Sequence, residues 1–484
     1  MRSRGLSKSK IMAGIQCPKR LYLETYHREL AEESPDKEES FAVGHQVGEL
    51  ARTLYPGGTL IDHGGDLKGA IEETETALKV ANDAVFFEAT LQHEGVLCRA
   101  DILSKEAERT QLSEVKSSTS VKNEHVQDCA IQAWVLRGAG YPADTVALVH
   151  IDNTFVYGGD EDYTGLFAQE DITGEVRALE YDVPDWVDRC KQVLAGDMPD
   201  VEVGPHCKKP YPCPFLAHCK GKQPEYPVTT LPHGYKVAQE LLAKGIEDIR
   251  DIPEDRLKNA TQERVRRITV AGEAELNPQA GEALRGLPYP RYYLDFETIG
   301  FAIPIWAGTR PYQALPFQWS CHTEQANGEL DHAEFLDRSG EPPMRLLAES
   351  LLVTLGEDGP IFTYTNFEQK VIQGLAEMFP DLEDGLQRVI DRLVDLHPIT
   401  KAHYYHPAMK GSWSLKAVLP TVAPDLDYGA LGEVQEGMAA GRAYFEIIDK
   451  KTNPKRRQEL ITSLTEYCKL DTLAMVRLAR FLQQ

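Results

Sequence analysis

The most restrictive feature of the sequence is the placement of four cysteines. Cys17 stands alone near the N-terminus, whereas Cys207, Cys213 and Cys219 follow one another at intervals of six residues in a proline-rich segment. Four thiolates can together hold a [4Fe–4S] cluster or a Zn²⁺ ion. Either group would join residue 17 to the later cysteines, so that the chain between them folds as one closed loop. The two flanking histidines are alternative ligands: His206 and His218.

Length and composition limit the class of protein. A chain of 484 residues is too long for one ordinary core, so two or three domains are expected. Its 42% hydrophobic and 26% charged residues exclude a largely disordered chain. Without a long apolar stretch or a recognisable secretion signal, we expect a cytoplasmic protein with no membrane partner. The net charge of −23 argues against a general nucleic-acid coat, but a carboxylate site that binds divalent metal is compatible with it.

The remaining cysteines and the tryptophans are predicted to serve packing. Disulfides are not expected in a cytoplasmic chain. We expect the following five cysteines to be buried small side chains: Cys98, Cys129, Cys190, Cys321 and Cys468. Core packing is favoured over stacking on nucleobases for three tryptophans: Trp306, Trp319 and Trp413.

Hydrophobic patterning predicts an α/β protein. Period-two or continuous apolar runs predict four strands in the first half of the chain: 84–90, 96–103, 111–116 and 145–151. Helical spacing is found in two segments, and a charged loop precedes the first of them: helices 40–54 and 124–138, loop 29–40. Strands joined through a crossover helix are typical of an α/β domain.

The composition changes twice along the second half of the chain. Residues 203–227 look irregular, residues 228–285 look helical and polar, and the apolar strand at 291–297 opens another α/β region. We therefore predict three parts, with these bounds: a first domain at 1–224, a helical connector at 225–287 and a last domain at 288–484.

A first set of functional residues lies on the predicted strands of the first domain. Glu114 and Lys116 are two apart and share a face, and Asp101 lies on the preceding strand of the same hairpin. Gln132 lies on the helix that follows. An edge hairpin with surface charges is the alternative interpretation.

This set resembles the PD-(D/E)XK nucleases, and its Gln132 helix resembles that of the RecB branch. The resemblance implies a restriction-endonuclease-like domain in which Asp101 and Glu114 bind Mg²⁺ or Mn²⁺ and Lys116 positions water. Two positions depart from the RecB pattern: Leu136 replaces a tyrosine, and His45 is out of register with the usual histidine ligand. Glu88 could add a carboxylate. The four cysteines resemble the iron–sulfur staple of AddB and of CRISPR-associated RecB-like exonucleases, which implies a [4Fe–4S] cluster.

A second set lies in the last domain. Asp295 and Glu297 share one face of a strand, and two such carboxylates repel unless a cation lies between them. Glu368 stands at the junction of a strand and a helix. Tyr467 and Asp471 are four residues apart and therefore lie on one face of the final helix.

The second set resembles the DnaQ-like (DEDD) 3′–5′ exonucleases, which have an RNase H-like fold. The resemblance implies that four carboxylates bind two divalent metals and that Tyr467 orients the attacking water. Those carboxylates are Asp295, Glu297, Glu368 and Asp471. Glu368 departs from the pattern, since the family usually has aspartate there. Asp395 resembles a family acid that is not a ligand, and Lys416 could contact phosphate.

The order of the two domains resembles that of a bacterial family. Together, the resemblances predict a nuclease on single-stranded DNA with two active sites. Three alternatives stay open: a single active DnaQ-like site with the first domain as a binding module, an RNA substrate, or a nucleic-acid sensor or scaffold without turnover.

Overall fold

The chain divides into two compact units. The computed structural model describes residues 5–32, 35–221, 223–430, 433–434 and 437–484. The first unit ends at Gly221 but also includes residues 301–312, and the second comprises the rest. Both units are mixed α/β. None of the described helices combines the length and the apolar character needed to cross a membrane.

The first unit is built on a seven-stranded sheet. Its strands are β1 (Leu6–Ser7), β2 (Thr59–Leu60), β3 (Asp83–His93), β4 (Val96–Glu106), β5 (Arg109–Lys116), β6 (Thr145–Ile151) and β7 (Phe167–Asp171). They lie in the order β2-β3-β4-β5-β6-β7, and β1 pairs with β4. The pairs β3–β4 and β4–β5 are antiparallel, whereas β5–β6 is parallel.

Helices cover both faces of this sheet. They are α1 (Lys8–Gln16), α2 (Pro18–Tyr26), α3 (Pro35–Ala51), α4 (Leu67–Val80), α5 (Asn123–Gly138), α6 (Thr173–Glu180), α7 (Val183–Ala195) and α8 (Leu216–Lys220). The side chains of adjacent residues of β4 lie on opposite faces of the sheet. Leu103 packs in the core beneath α5, and Ile102 packs in the core beneath α3. Helix α5 is therefore held firmly over strand β5, which positions the first set of site residues.

Helix α3 begins earlier than predicted. The sequence patterning placed a loop at 29–40, whereas the helix begins at Pro35. Proline is favourable in the first turn of a helix, where its missing N–H has no partner to lose. Glu38 and Glu39 follow it, and negative charge near a helix N-terminus is stabilising. The charged composition therefore reflects the start of the helix rather than a loop.

The second unit is built on a five-stranded sheet with a separate two-stranded ribbon. Its strands are β8 (Glu275–Leu276), β9 (Arg291–Ile299), β10 (Leu315–Glu324), β11 (Leu330–Leu336), β12 (Ile361–Thr363), β13 (Leu393–Asp395) and β14 (Tyr404–Tyr405). The sheet has the order β11-β10-β9-β12-β13, and β14 pairs with β8. Strands β9, β10 and β11 are antiparallel neighbours, whereas β12 is parallel to both β9 and β13.

Ten helices of the described residues accompany this sheet. They are α9 (Tyr235–Leu242), α10 (Ala260–Ala271), α11 (Gln279–Arg285), α12 (Met344–Leu355), α13 (Phe367–Met378), α14 (Glu383–Asp391), α15 (Leu396–His403), α16 (Leu415–Val422), α17 (Gly437–Ile448) and α18 (Pro454–Leu482). Buried side chains of α9, α10 and α11 share one core with Tyr293 of β9 and with the end of α18. The segment at 225–287 thus packs into the second unit.

Candidate functional site

Three elements of the second unit bring four carboxylates together. Asp295 and Glu297 lie on β9, Glu368 lies in the first turn of α13, and Asp471 lies in α18. Because β12 is parallel to β9, the chain leaves β12 for α13 at the edge where β9 carries its two acids. The side chains are largely withdrawn from solvent, with Glu368 only 2% exposed and Asp471 8% exposed.

The carboxylates contact one another and a thiol. One ligand atom each from Asp295, Glu297 and Cys468 lies within 4.8 Å of the other two. Glu368 shares a hydrogen bond with Asp295. Its Oε2 atom is buried and meets no hydrogen-bond partner in the part of the chain that the structure describes. Acids in such contact need protons or a cation between them, and four hard oxygen donors suit Mg²⁺ or Mn²⁺.

Burial raises the pKa values of all four acids, and repulsion from neighbouring carboxylates adds to it for Asp295, Glu297 and Glu368. Burial is the larger cause for Glu368, whose pKa is raised to about 8, and for Asp471, whose pKa is raised to about 6. The pKa values of Asp295 and Glu297 lie well above the ordinary value, because burial is reinforced by the charge of Asp471. A divalent cation would relieve this repulsion.

Two tyrosines and a lysine border the carboxylates. Burial and the charge of Asp471 raise the pKa of Tyr467, so its hydroxyl stays protonated and can donate. The hydroxyl of Tyr428 donates to Oδ1 of Asp471. The Nζ of Lys416 lies 5.4 Å from the ring centroid of Tyr467 and 5.5 Å from that of Tyr428. Its charge favours the ionised forms of Glu297 and Asp471.

Asp395 has a structural role beside this site. Its Oδ1 accepts from the backbone N–H of His397, which caps α15, and from that of Thr365, each at 2.8 Å. Thr365 has a φ of 84°, a conformation that β-branched residues rarely adopt. Asp395 therefore holds the strained turn that leads into α13 and Glu368.

The first set of predicted residues also converges, in the first unit. Lys116 donates to Oε1 of Glu114 at 2.7 Å, and Gln132 donates to Oε2 of the same carboxylate at 2.7 Å. Asp101 accepts from the backbone N–H of Val115 at 2.8 Å. Burial, together with the charge of Glu114, raises the pKa of Asp101 to about 7. Burial disfavours ionisation of Glu114, but the charges of Lys116 and Lys8 and the hydrogen bond from Gln132 together outweigh it and hold the pKa of Glu114 below its usual range.

Two further charged residues belong to this cluster. Asp128 of α5 accepts from Lys116 at 2.8 Å, and Lys8 of α1 lies 2.9 Å from Glu114 and 3.1 Å from Asp128. Asp128 could have been found from the sequence, because it lies one helical turn before Gln132. Lys8 stands 106 residues before Glu114, and no local pattern connects the two.

The RecB-like positions that depart from the family pattern lie outside this cluster. His45 is exposed on α3, and Leu136 is fully buried in the core of the first unit. Glu88 has a φ of 59° and pairs with Arg52 at 3.1 Å and with Arg99 at 3.8 Å. Glu88 therefore has cationic partners of its own.

The four predicted cluster ligands line a single cavity in the first unit. All four are free thiols: Cys17, Cys207, Cys213 and Cys219. Gln16, beside Cys17, donates from its amide to the backbone oxygens of His206 at 2.6 Å and Tyr211 at 2.7 Å. These hydrogen bonds connect the N-terminal helix to the segment of the later cysteines without any metal or cluster.

The four thiols could hold either a single Zn²⁺ ion or a [4Fe–4S] cluster, and the two groups need different spacings of the sulfurs. Tetrahedral Zn²⁺ with Zn–S bonds of about 2.3 Å would hold its sulfurs about 3.8 Å apart. Among these described cysteines, no three sulfurs come within 4.8 Å of one another. A [4Fe–4S] cluster holds its ligands farther apart, because each sulfur binds a different iron. His206 also lines the cavity, whereas His218 is not among its lining residues.

The packing predictions are confirmed. The structure buries each of the five remaining cysteines: Cys98, Cys129, Cys190, Cys321 and Cys468. Three tryptophans are 5% exposed or less, which leaves them no free face for nucleobases: Trp306, Trp319 and Trp413. Cys468 also contacts the candidate site, since its Sγ lies 3.7 Å from Oδ2 of Asp295.

Comparisons with known proteins give no function. Residues 292–414 match the family described as "Domain of unknown function (DUF2779)", a segment that contains Asp295, Glu297 and Glu368. No curated protein matches the chain. The solved structure described as "Crystal structure of SSO0001" is similar at 15% identity over 46% of this chain and 90% of the other, with a TM-score of 0.24. At that TM-score the likeness carries no argument about the fold.

Proposed function

We propose that this chain is a metal-dependent nuclease whose second unit removes nucleotides from the 3′ end of single-stranded DNA. The observation that carries the proposal is the convergence of four carboxylates, three buried and one (Asp295) half-buried, beside the carboxyl ends of strands β9 and β12. Those acids are Asp295, Glu297, Glu368 and Asp471. Burial and the charge of Asp471 raise the pKa values of Asp295 and Glu297, and bound cations would relieve the repulsion. Carboxylates that hold two metals are common in phosphodiester hydrolysis.

The fold of the second unit supports the same proposal. In chain order, the strands of its main sheet are arranged 3-2-1-4-5, with the first three antiparallel and the last two parallel to the first. This is the order expected of the RNase H-like fold of DnaQ-like exonucleases. The first strand, β9, carries the first two acids, and the final helix carries Asp471, as the resemblance implies.

Each residue would have a defined part in the reaction. Two bound divalent ions would activate water and stabilise the leaving oxygen. The protonated hydroxyl of Tyr467 can orient a water molecule beside Asp471. Lys416, held against the two tyrosine rings, brings a positive charge to the site that would stabilise charge developing on phosphate. Tyr428 fixes the carboxylate of Asp471 through its hydrogen bond.

The first unit is proposed to be a RecB-like, restriction-endonuclease-like domain closed by a [4Fe–4S] cluster. The shared cavity of Cys17, Cys207, Cys213 and Cys219 supports the cluster. The convergence of its predicted acids, lysine and glutamine on β4, β5 and α5 supports the domain type. A second nuclease site in this unit is the second candidate function, favoured by the contacts of Glu114 with Lys116 and Gln132.

Digestion of end-labelled single-stranded DNA tests the main proposal. Anaerobically purified protein with Mn²⁺ should release a 3′ label first and shorten a 5′-labelled strand stepwise. Asp295→Asn should slow this loss at least a hundredfold, since it removes a carboxylate that would hold the divalent ions that stabilise the transition state. Asp331→Asn, on an exposed position of β11, is the matched control and should leave the rate unchanged.

The same assay separates the alternatives. An RNA strand of identical sequence tests the sugar, and Glu114→Gln tests the first unit. If wild type leaves DNA labels intact but shortens RNA, the substrate assignment is wrong. If both strands survive, the non-catalytic sensor or scaffold replaces the nuclease.

A further inference from the structure

The acid cluster of the first unit contains a cation that belongs to the protein. Lys8, the first residue of α1, places its Nζ 2.9 Å from Oε1 of Glu114 and 3.1 Å from Oδ1 of Asp128. Lys116 spans the same two carboxylates from another side, at 2.7 Å and 2.8 Å. Two ammonium groups therefore bridge one pair of buried acids.

These contacts use the oxygens that a metal ion would need. Oε1 of Glu114 accepts from both lysines, and its Oε2 accepts from Gln132. One oxygen of Asp101 accepts from the backbone of Val115. Divalent ions are bound through free carboxylate lone pairs and net negative charge. Glu114, the acid on which a metal site would depend most, has both oxygens engaged.

The charge balance distinguishes this cluster from the site in the second unit. Asp101, Glu114 and Asp128 face two lysines, so the cluster is close to neutral when all five groups are ionised. In the second unit, four acids are accompanied by Lys416, whose Nζ lies over two aromatic rings. Metal affinity rises with the charge of the ligands, so the second unit is the stronger cation site.

The position of Lys8 is set by the fold. Strand β1, immediately before it, pairs in parallel with β4 through Leu6 and Ser7. The side chain of Ser7 then caps α1 by accepting from the backbone of Lys10 at 3.4 Å. The backbone of Lys8 is thus fixed between a sheet strand and a helix cap, beside Cys98 of the same strand β4.

We propose that Lys8 is a built-in counter-ion that closes the acid cluster of the first unit to Mg²⁺ and Mn²⁺. Metal-dependent hydrolysis then belongs to the second unit alone, in place of the second nuclease site considered above for the first unit. The first unit serves the nuclease without a divalent ion at its acid cluster. The inference rests on the proposed function only in its comparison of this domain with metal-dependent RecB-like nucleases.

Binding of Mn²⁺, measured from the electron paramagnetic resonance signal of the free ion, tests this without turnover. The background for this experiment is the 484-residue chain with Asp295→Asn and Glu297→Gln, two substitutions that remove the site of the second unit. In this background we expect no Mn²⁺ bound at the first unit. Adding Lys8→Met should create a site for a single Mn²⁺, and further addition of Glu114→Gln should abolish it.

Controls make each outcome decisive. Lys10→Met removes a neighbouring lysine of α1 that donates to the backbone oxygen of Gly5. Lys8→Arg keeps the charge, and neither variant should create a site. The proposal would be overturned if the Asp295→Asn, Glu297→Gln chain, with Lys8 intact, bound Mn²⁺ that was lost on adding Glu114→Gln. This measurement does not depend on whether Lys8→Met folds. A folded Lys8→Met chain that binds no Mn²⁺ would also overturn it. Failure of the proposed nuclease site would be seen separately: wild type and the Asp295→Asn, Glu297→Gln chain would then bind the same amount of Mn²⁺.

Discussion

The hydroxyl of Tyr428 donates a hydrogen bond to Oδ1 of Asp471, and Tyr467 contacts the same carboxylate. Both contacts favour the ionised form of Asp471 and thereby oppose the burial that raises its pKa to about 6. Tyr428 begins a short 3₁₀ helix 43 residues before Asp471, so the carboxylate is oriented from two sides.

Tyr428→Phe should lower the rate of 3′-end digestion by about 10- to 150-fold, because a hydrogen bond to a charged group contributes about 1.5–3 kcal/mol. Its loss also raises the pKa of Asp471, so the acidic limb of the pH–rate profile should move to higher pH. Tyr235→Phe, at an exposed position of α9, is the control. An unchanged profile would show that Tyr428 only packs.

The stability of the metal-free protein should fall as the pH rises. The pKa of Glu368 is raised to about 8 in the folded chain, whereas an unfolded glutamate titrates near 4.3. Between these values the folded state binds more protons than the unfolded state, so the free energy of unfolding decreases by up to about 1.4 kcal/mol per pH unit for one such group.

Urea unfolding in EDTA between pH 5 and pH 9 measures this slope. Glu368→Gln should make it shallower, and Glu377→Gln, exposed on the same helix, should not. Mn²⁺ should flatten the slope of the wild type, because the ion binds the deprotonated acids. Identical slopes for wild type and Glu368→Gln would contradict the burial of Glu368 against Asp295, which raises its pKa.

Cys213→Ser should cost the first unit its metal and part of its stability. Anaerobically purified wild type is expected to carry iron and acid-labile sulfide in equal amounts, with the visible absorbance of a cluster. The variant should lose both and unfold at a lower temperature, since the closed loop is opened. Cys190→Ser is the control, because that buried thiol lies outside the cavity. Bound zinc without sulfide would replace the cluster by a mononuclear site.

Gly359→Ala should destabilise the second unit by more than about 2 kcal/mol. Gly359 has a φ of 86°, and a Cβ there would lie 1.9 Å from the backbone oxygen of Pro290. Gly374→Ala is the matched control: it lies in α13, where a Cβ meets nothing within 4 Å, and should be neutral or stabilising by up to about 1 kcal/mol. Chemical unfolding of both variants gives the comparison, and equal midpoints would contradict the close approach.

Strands were the most predictable part of the fold. The segments predicted at 84–90, 96–103, 111–116 and 145–151 all lie within β3, β4, β5 and β6. Their alternating or continuous apolar residues reflect burial on one or both faces of a sheet, which is a local property of the sequence. The start of α3 at Pro35 was missed because charge was interpreted as a loop signal.

Residues of the candidate sites were predictable where they recur at the period of one strand or helix. Asp295 with Glu297, and Tyr467 with Asp471, are such pairs. Lys8 and Tyr428 were not predictable in this way, because their partners are brought to them by packing over long sequence separations. Cys468 looked like an ordinary buried thiol, and only the structure places it beside Asp295.

The segment at 301–312 has a consequence for how this protein could be divided. Ala302 packs in a core of the first unit, Tyr163 donates to the backbone of Pro304 at 3.2 Å, and the backbones of Tyr157 and Thr309 are hydrogen-bonded. Yet these residues lie between β9 and β10. A cut at Gly221 would therefore remove part of the core from the first half. In the second half, residues 301–312 would lose the side chains against which they pack. We therefore expect that neither half, cut at Gly221, keeps all of its packing.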